Sequence, residues 1–324
     1  MARFVAVRLL AAIPVLLGVV LALFLMIELA PGDPIQAIVG DIPVSPEFRA
    51  QVAEKYRLDD SIWQRFMAYV GNLLQGDLGY STAGRQPVSD LIWSRLPPTM
   101  LLVGTSLVLA AVLGTAFGMI AASAKGRWPD GFINTWVLVA FATPGFWLGQ
   151  LLIALFALRL GWFPTGGMRS IGSQEAGWAG IVEVAHHLVL PVVALCSLEM
   201  ASVTRVARAS SIEVLSQDQI TTARLKGISR PHILRRHVLR NSLLPVVTVI
   251  GFRAGTALAG TVLIESVFSW PGMGLLLTDS IVRRDNQVII GIVLMLAVMA
   301  VLMNILTDIL YGILDPRIRA GGSR

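Results

Sequence analysis

The chain has 324 residues, of which 55% are hydrophobic and only 14% are charged, and its formal net charge is +6. A soluble domain carries about 25% charged residues, so this composition excludes an ordinary soluble protein and indicates an integral membrane protein. The single cysteine, Cys196, excludes an intrachain disulfide and lies in an apolar run, where a thiol is a small core residue.

Six segments are apolar over about 20 residues or more, the length that a helix needs to cross a bilayer. They are continuously apolar rather than alternating, which favours helices over barrel strands. We therefore predict an all-α integral membrane protein with six transmembrane helices, at approximately 9–30, 99–123, 132–158, 184–204, 243–264 and 288–312.

The first segment follows Arg3 and Arg8, as the apolar core of a signal peptide would. That core is usually about 7–15 residues long, and this segment is longer. We therefore expect residues 1–30 to form a cytoplasmic N-terminus and a retained first transmembrane helix.

The distribution of Lys and Arg predicts the orientation of the helices. With the N-terminus inside, most basic residues fall on the cytoplasmic side, whereas acidic residues outnumber basic ones in segment 31–98. Because cytoplasmic loops carry an excess of Lys and Arg, we expect both termini in the cytoplasm. Segment 31–98 is then extracytoplasmic, residues 99–312 form a five-helix core, and residues 313–324 form a cytoplasmic tail.

Segment 31–98 shows two helix-like stretches, at 46–56 and 62–73, followed by glycines that break the pattern. A partly helical extracytoplasmic segment is therefore expected between the first two transmembrane helices. It could form a cap over a pore, a docking surface, or packing against the ends of the spans.

Glycines and prolines inside the apolar segments predict how the helices pack and bend. Gly114 and Gly118 are spaced by four residues, which lets helix backbones approach closely in lipid. Pro144 in the third segment and Pro191 in the fourth favour kinks, because proline removes a backbone hydrogen bond.

Glu199 and Arg253 are the ionisable residues deepest in the apolar segments. A charge at the middle of a bilayer is costly, so such residues face a cavity, a partner subunit or each other. One interpretation places both along a polar translocation path that contacts the charged ends of a zwitterionic substrate. The other interpretation makes them a structural ion pair, or places Glu199 near the inner end of its helix.

Enzyme motifs are missing from the sequence, which has no GxxxxGKS/T, CxxC, HExxH or GxSxG. Glu183, His186 and His187 form an ExxHH group that could in principle offer metal ligands, but no second cluster completes a site. We therefore expect no catalytic residue and no metal in this chain.

The basic loop, residues 210–245, separates the fourth and fifth segments and contains six basic residues against two acidic ones. It is longer than a connection between spans requires. Its pattern predicts a helix over 210–225, a stop at Gly227 and a second helix from Pro231. Two such helices could dock a cytoplasmic partner, or they could lie on anionic lipid headgroups as an amphipathic hairpin.

Four stretches of the sequence carry a resemblance to one family. In the basic loop, 221–227 (TTARLKG) followed by 236–245 (RHVLRNSLLP) resembles the EAA loop of ABC-importer permeases, with threonines in place of the Glu and the first Ala of that motif. The other stretches are similar to signatures of the dipeptide/oligopeptide/nickel branch, at 30–34 (APGDP), 261–274 (TVLIESVFSWPGMG) and 314–317 (LDPR). The chain is most like the first-named permease of that branch, except that Arg253 stands where a neutral polar residue is expected.

The resemblance implies a type I ABC-importer permease fold in the cytoplasmic membrane of a prokaryote. It also implies four kinds of partner: a homologous second permease, two cytoplasmic ATPase subunits that bind ATP and Mg²⁺, an extracytoplasmic peptide-binding protein and the lipid membrane. No nucleic acid is expected, and no cofactor in this chain. Coupling to the ATPases is assigned to Thr221, Thr222, Ala223, Arg224, Leu225, Lys226 and Gly227.

From this resemblance we predict ATP-driven import of small peptides, either dipeptides or oligopeptides, by alternating access. Importers of nickel or glutathione share these motifs, so both cargoes remain alternatives. An ATP-independent channel or an ion-coupled secondary carrier that uses Glu199 and Arg253 is the alternative from another class.

Overall fold

Helices account for most of the described chain. The computed structural model describes residues 2–29, 45–47, 60–173 and 177–314. The helices discussed below are α1 (Ala2–Glu28), α2 (Ile62–Leu74), α3 (Val88–Ser123), α4 (Trp128–Ala142), α5 (Gly145–Leu152), α6 (Gly177–Leu215), α7 (Asp218–Leu225), α8 (Arg230–Ile233), α9 (Leu239–Val267), α10 (Met273–Val282) and α11 (Asn286–Leu314). Two π-helical segments, Ile153–Arg159 and Leu234–Val238, follow α5 and α8. The strands β1 (Tyr80–Ser81) and β2 (Gln86–Pro87) form a short antiparallel hairpin.

Five stretches in the described chain are helical, long and apolar enough to cross a membrane: Ala6–Met26, Val88–Ser123, Gly177–Leu215, Arg230–Leu258 and Asn286–Ile309. A sixth span results if α4 and the stretch Gly145–Arg159 are taken together, with a bend of 102° between them. These helices overlap all six predicted segments, so the predicted all-α membrane class is confirmed. The sides of the membrane on which the termini lie stay a prediction.

The kink predicted at Pro144 is a complete break between α4 and α5. Thr143 and Pro144 both have extended backbone angles, with ψ values of 122° and 129°. Proline disfavours the helical conformation of the residue before it and has no backbone N–H to donate, so α4 ends there. Pro191, by contrast, lies inside the continuous helix α6.

The packing of α3 against α6 is the most extensive contact between helices in the described chain. A Cβ atom on Gly114 would lie 2.8 Å from the Val203 side chain, and one on Gly118 would lie 2.6 Å from the Ala207 Cβ atom. Because real Cβ atoms do not approach this closely, the two glycines are what allows the backbones to meet. The predicted role of this glycine pair in helix packing is confirmed.

The second predicted transmembrane helix begins earlier than expected. α3 starts at Val88 rather than near residue 99, and it continues through Pro97 and Pro98. The charges of Asp90 and Arg95 lower the apolar signal in this stretch, and two adjacent prolines are typical of a helix end. The start of this helix is therefore corrected to Val88.

The stretch predicted as helical at 62–73 is confirmed as α2. Its N-terminus has a capping box, in which the Ser61 hydroxyl accepts from the Gln64 backbone N–H and the Gln64 side chain accepts from the Ser61 N–H at 3.0 Å. The other helix-like stretch, 46–56, lies almost wholly outside the described residues. The same holds for the signatures at 30–34 and 314–317 and for the tail at 313–324.

Candidate functional site

The basic loop folds into two short helices around Gly227. Gly227 has a φ of +74°, the left-handed conformation that glycine adopts without strain, so the predicted helix stop is confirmed. Pro231 lies in the first turn of α8, also as predicted. The single helix predicted over 210–225 is wrong, because α6 ends at Leu215 and α7 starts at Asp218 after a turn.

A small apolar cluster holds the basic loop together. Its members are the buried side chains Val214, Ile220, Ala223, Ile233 and Val238, and Met119 of α3 packs against them. The Arg230 guanidinium also donates to the backbone carbonyl of Ser123 at the end of α3. The loop is therefore a packed unit attached to α3 and α6, rather than a flexible connection.

The seven residues predicted to couple to a partner divide into an inner residue and an outer surface. Ala223 is 6% exposed and belongs to the apolar cluster of the loop. The other six are exposed: Thr221, Thr222, Arg224, Leu225, Lys226 and Gly227. We call these six residues the α7 surface. Leu225 is the large apolar side chain of this surface and is 84% exposed.

A buried ion pair joins α4 to α6 close to the basic loop. Asp130 accepts from the Arg208 Nε at 2.7 Å and from the Arg208 Nη2 at 2.9 Å. It also accepts from the Gly126 backbone N–H and from the Asn134 side chain. Two parallel bonds between a guanidinium and a carboxylate fix both direction and distance, so the pair holds this part of α6 against α4. Sequence reasoning missed this pair.

The structure brings Glu199 of α6 and Arg253 of α9 together. The Arg253 Nε lies 3.7 Å from the Glu199 Oε2, and the Arg253 Nη2 donates to the Ser202 hydroxyl at 2.6 Å. Glu199 is 4% exposed, and among the described residues no hydrogen-bond donor reaches its Oε2 atom. Arg253 is less buried, with a side chain that is 26% exposed. The pair therefore combines a buried acceptor that still has hydrogen-bonding capacity with a cation that other molecules can reach.

Glu265 is a fully buried carboxylate that sequence reasoning did not single out. Its Oε1 accepts from the Thr99 hydroxyl at 2.7 Å, and its Oε2 accepts from the backbone N–H groups of Gly274 and Leu275 at 2.6 and 3.1 Å. Those N–H groups belong to the first turn of α10, where a negative charge is stabilised by the helix dipole. Glu265 thus holds α3, α9 and α10 at one point.

The turn between α9 and α10 is built closely around Glu265. A Cβ atom on Gly272 would collide with the Glu265 carboxylate, and one on Gly274 would lie 2.5 Å from the Val262 Cα atom. Trp270 is fully buried, and its indole N–H donates to the Pro98 carbonyl at 2.9 Å. Gly272 is therefore required by the space that the carboxylate occupies, and Gly274 mainly by the close approach of the α9 backbone at Val262.

The ExxHH group near the start of α6 is in hydrogen-bonding contact with the preceding loop, residues 160–173. Glu183 accepts from the Ser170 backbone N–H at 2.8 Å and from the Ser173 hydroxyl at 2.7 Å. The His186 Nε2 lies 2.9 Å from the Trp162 carbonyl, and the His187 Nδ1 lies about 3 Å from two further carbonyl groups of that loop. Each of the three side chains has loop partners, and the three do not converge on a common point.

Two family patterns match the chain. The family described as "Binding-protein-dependent transport system inner membrane component" matches residues 114–320. The family described as "Binding-prot-dependent transport system membrane comp, N-term" matches residues 1–103. Together they extend over most of the sequence, from the N-terminus to beyond α11.

Several curated proteins are similar to the chain over nearly its whole length. It is 40% identical to the oligopeptide transport system permease protein AppB of Bacillus subtilis (strain 168), over 98% of this chain and 99% of that protein. It is 38% identical to the di/tripeptide transport system permease protein DppB of Pseudomonas aeruginosa (strain UCBPP-PA14), with the same coverage. It is 41% identical to the glutathione transport system permease protein GsiC of Escherichia coli O6:H1, again over 98% and 99%.

A solved structure with a similar fold is an inward-facing conformation of the MetNI methionine ABC transporter. The TM-score is 0.57, and the match covers 69% of this chain and 96% of that one. The sequence identity is 14%, so the likeness concerns the fold of the transmembrane helices alone.

Proposed function

The chain belongs to the family of inner membrane components of binding-protein-dependent transport systems, and from this premise we propose that its cargo is a small peptide. It is a permease subunit of an ABC importer rather than an enzyme, and ATP hydrolysis is carried by partner ATPases. The observation that carries the peptide proposal is the full-length similarity, at 40% and 38% identity, to an oligopeptide permease and a di/tripeptide permease. Glutathione is the second candidate cargo, because a glutathione permease is equally similar.

We propose an assembly in which this chain pairs with a homologous second permease. Two cytoplasmic ATPase subunits would bind the ATP and Mg²⁺, since this chain contains no GxxxxGKS/T segment, and an extracytoplasmic binding protein would deliver the peptide. The complex would lie in the cytoplasmic membrane of a prokaryote, with both termini of this chain in the cytoplasm.

The α7 surface is the proposed contact with an ATPase subunit. When the ATPases close on ATP, they would press on α7, and the apolar cluster of the loop would pass that movement to α3 through Met119. The Arg208–Asp130 pair would pass it to α4. The helices continuous with the basic loop, α6 and α9, would then rock and open the path outward, and hydrolysis would reset it.

The proposal is tested by reconstituting the chain with its partner subunits in liposomes and measuring uptake of labelled di- and tripeptides. We expect uptake that requires ATP and the binding protein, and that unlabelled peptides reduce by competition. Competition by glutathione alone would favour the second cargo. Uptake that follows a proton gradient and ignores ATP would contradict the mechanism and favour an ion-coupled carrier.

We also propose that Glu199 and Arg253 line the translocation path. Replacing Arg253 with glutamine is expected to leave the complex assembled but to change the rate of transport or the preference among peptides of different charge. The reason is that the guanidinium is partly exposed and can meet a substrate carboxylate. Initial uptake rates for acidic, neutral and basic dipeptides provide the measurement.

The double variant Glu199→Gln/Arg253→Gln is the control for this prediction. A single change at Arg253 leaves the buried Glu199 without its counter-ion, which by itself disturbs the structure. If that disturbance caused the defect, the double variant would recover normal transport. If contact with the substrate caused it, the double variant stays altered. Unchanged kinetics in the single variant would show the pair to be structural.

A further inference from the structure

One side of α2 carries apolar side chains that no described part of the chain covers. Trp63 is 67% exposed, Met67 is 54% exposed and Leu74 is 85% exposed. With about 100° of rotation per residue, these three lie within about 40° of one another on the helix. Asn72 is exposed on nearly the opposite side. Ile62, the first residue of α2, is also exposed and lies about 100° from Trp63. The uncovered part of α2 therefore carries an apolar stripe, with Asn72 on nearly the opposite side.

The contacts of α2 place it beside the end of the first transmembrane helix. The Phe24 ring lies 5.3 Å from the Phe66 ring and 5.9 Å from the Tyr69 ring, measured between centroids. The Arg65 guanidinium meets the Glu28 carboxylate at 2.6 Å. Phe24 and Glu28 are in the last two turns of α1, about 6 Å apart along its axis. α2 thus packs against the C-terminal end of α1, next to the end of the apolar span at Met26.

The end of α1, which packs against α2, also carries exposed apolar side chains. In the last turns of α1 and just beyond it, Leu25, Met26 and Leu29 are exposed, whereas Phe24 is buried against α2. The membrane-spanning part of α1 is itself only 11% buried within the chain, as expected for a helix that faces lipid. The stripe on α2 and the exposed side chains of α1 therefore belong to two helices that contact each other at Phe24, next to the end of the apolar span of α1.

We propose that α2 is an interfacial helix that binds the lipid surface at the end of α1. Its stripe of Trp63, Met67 and Leu74 would lie below the headgroups, and Asn72 would face water. Tryptophan suits this depth because its ring is apolar and its indole N–H remains wet. The Glu28–Arg65 pair and the ring contacts with Phe24 hold the helix at that depth. α2 thereby fixes the height of segment 31–98 above the bilayer.

Spin-label accessibility in the reconstituted transporter tests this proposal. In a Cys196→Ser background, where the buried native thiol is removed, single cysteines are introduced as Met67→Cys, Leu74→Cys and Asn72→Cys and labelled with a nitroxide. We expect the ratio of collision with oxygen to collision with a water-soluble nickel chelate to be several-fold higher at positions 67 and 74 than at position 72. Oxygen concentrates in lipid and the chelate stays in water, so the ratio reports depth.

Two other results would overturn the proposal. Equal access of the nickel chelate to all three positions would mean that the stripe faces water. Protection of positions 67 and 74 from both reagents would mean that a protein subunit covers it. If the labelled variants do not assemble, quenching of tryptophan fluorescence by lipids brominated near the headgroup is compared in the wild type and Trp63→Phe. The quenched fraction is expected to fall in the variant, and identical quenching would contradict an interfacial position.

Discussion

Replacing Glu265 with alanine is expected to destabilise the protein by about 3 kcal/mol or more. The change removes the acceptor of three hydrogen bonds, from Thr99, Gly274 and Leu275, and a donor left without its acceptor in a buried site costs about 1–3 kcal/mol. It also leaves a cavity between α3, α9 and α10, which adds to the loss. Thermal unfolding of the purified chain in detergent measures the effect.

Glu265→Gln is the matched control for this prediction. Its carbonyl oxygen can still accept from the two backbone N–H groups of α10, but its amide group would point a donor at Thr99. In the native protein the Thr99 hydroxyl donates to the Glu265 carboxylate, so opposite an amide group the hydroxyl hydrogen would lose its acceptor. We therefore expect a loss between zero and that of the alanine variant. An alanine variant that unfolds at the wild-type temperature would show that the carboxylate is not what holds the turn.

The role of Glu265 illustrates what the sequence could not indicate. The apolar segments were predictable because apolar length is a local property, and so were the stop at Gly227 and a kink at Pro144, although the structure shows a complete break there. Glu265, however, meets a hydroxyl 166 positions away and N–H groups whose direction depends on a tertiary turn. The same holds for Asp130, whose partner Arg208 is 78 positions away.

In the basic loop, the wrongly predicted single helix over 210–225 changes which side chains are expected to face outward. A single helix over 210–225 would place Leu215 and Ala223 on a common stripe that continues from α6. The turn after Leu215 resets the helical phase, so that Ile220 and Ala223 point to the loop's own cluster and Leu225 points outward. The resemblance to the EAA loop predicts where along the chain the coupling site lies, and the structure separates the buried Ala223 from the exposed α7 surface.

Replacing Gly227 with tryptophan is expected to lower peptide uptake by about tenfold or more while the protein still inserts in the membrane. A large side chain at this position is expected to be unfavourable for two separate reasons. The first is a backbone cost of about 1–2 kcal/mol, because a φ of +74° is unfavourable for residues with a Cβ atom. The second is a steric collision between the tryptophan side chain and a partner subunit that contacts the loop. In the described part of the chain nothing lies within 4 Å of a Cβ atom at Gly227, so the chain itself leaves space there and the expected collision is with a partner.

Gly227→Ala separates these two costs, since alanine carries the backbone strain without the bulk. We expect the alanine variant to retain most of the uptake and to co-purify with the ATPase subunit, and the tryptophan variant to lose both. Equal uptake by the two variants would mean that Gly227 faces open solvent in the assembled transporter, and normal uptake by Gly227→Trp would rule out a docking role.

The variant Leu225→Asp tests the α7 surface without placing a side chain at a position of positive φ. Leu225 is on the last turn of α7, almost fully exposed, and outside the apolar cluster of the loop, so a charge there leaves the fold of the chain intact. If an ATPase subunit covers this leucine, burial of the new carboxylate in the interface is costly. Both the uptake and the amount of ATPase recovered in co-purification should then fall. Gln219→Asp, at an exposed position on the same helix but outside the α7 surface, serves as the matched control for added charge. An equal loss in both variants would point to general repulsion of negative charge, and a loss confined to Leu225→Asp would locate the contact at the end of α7.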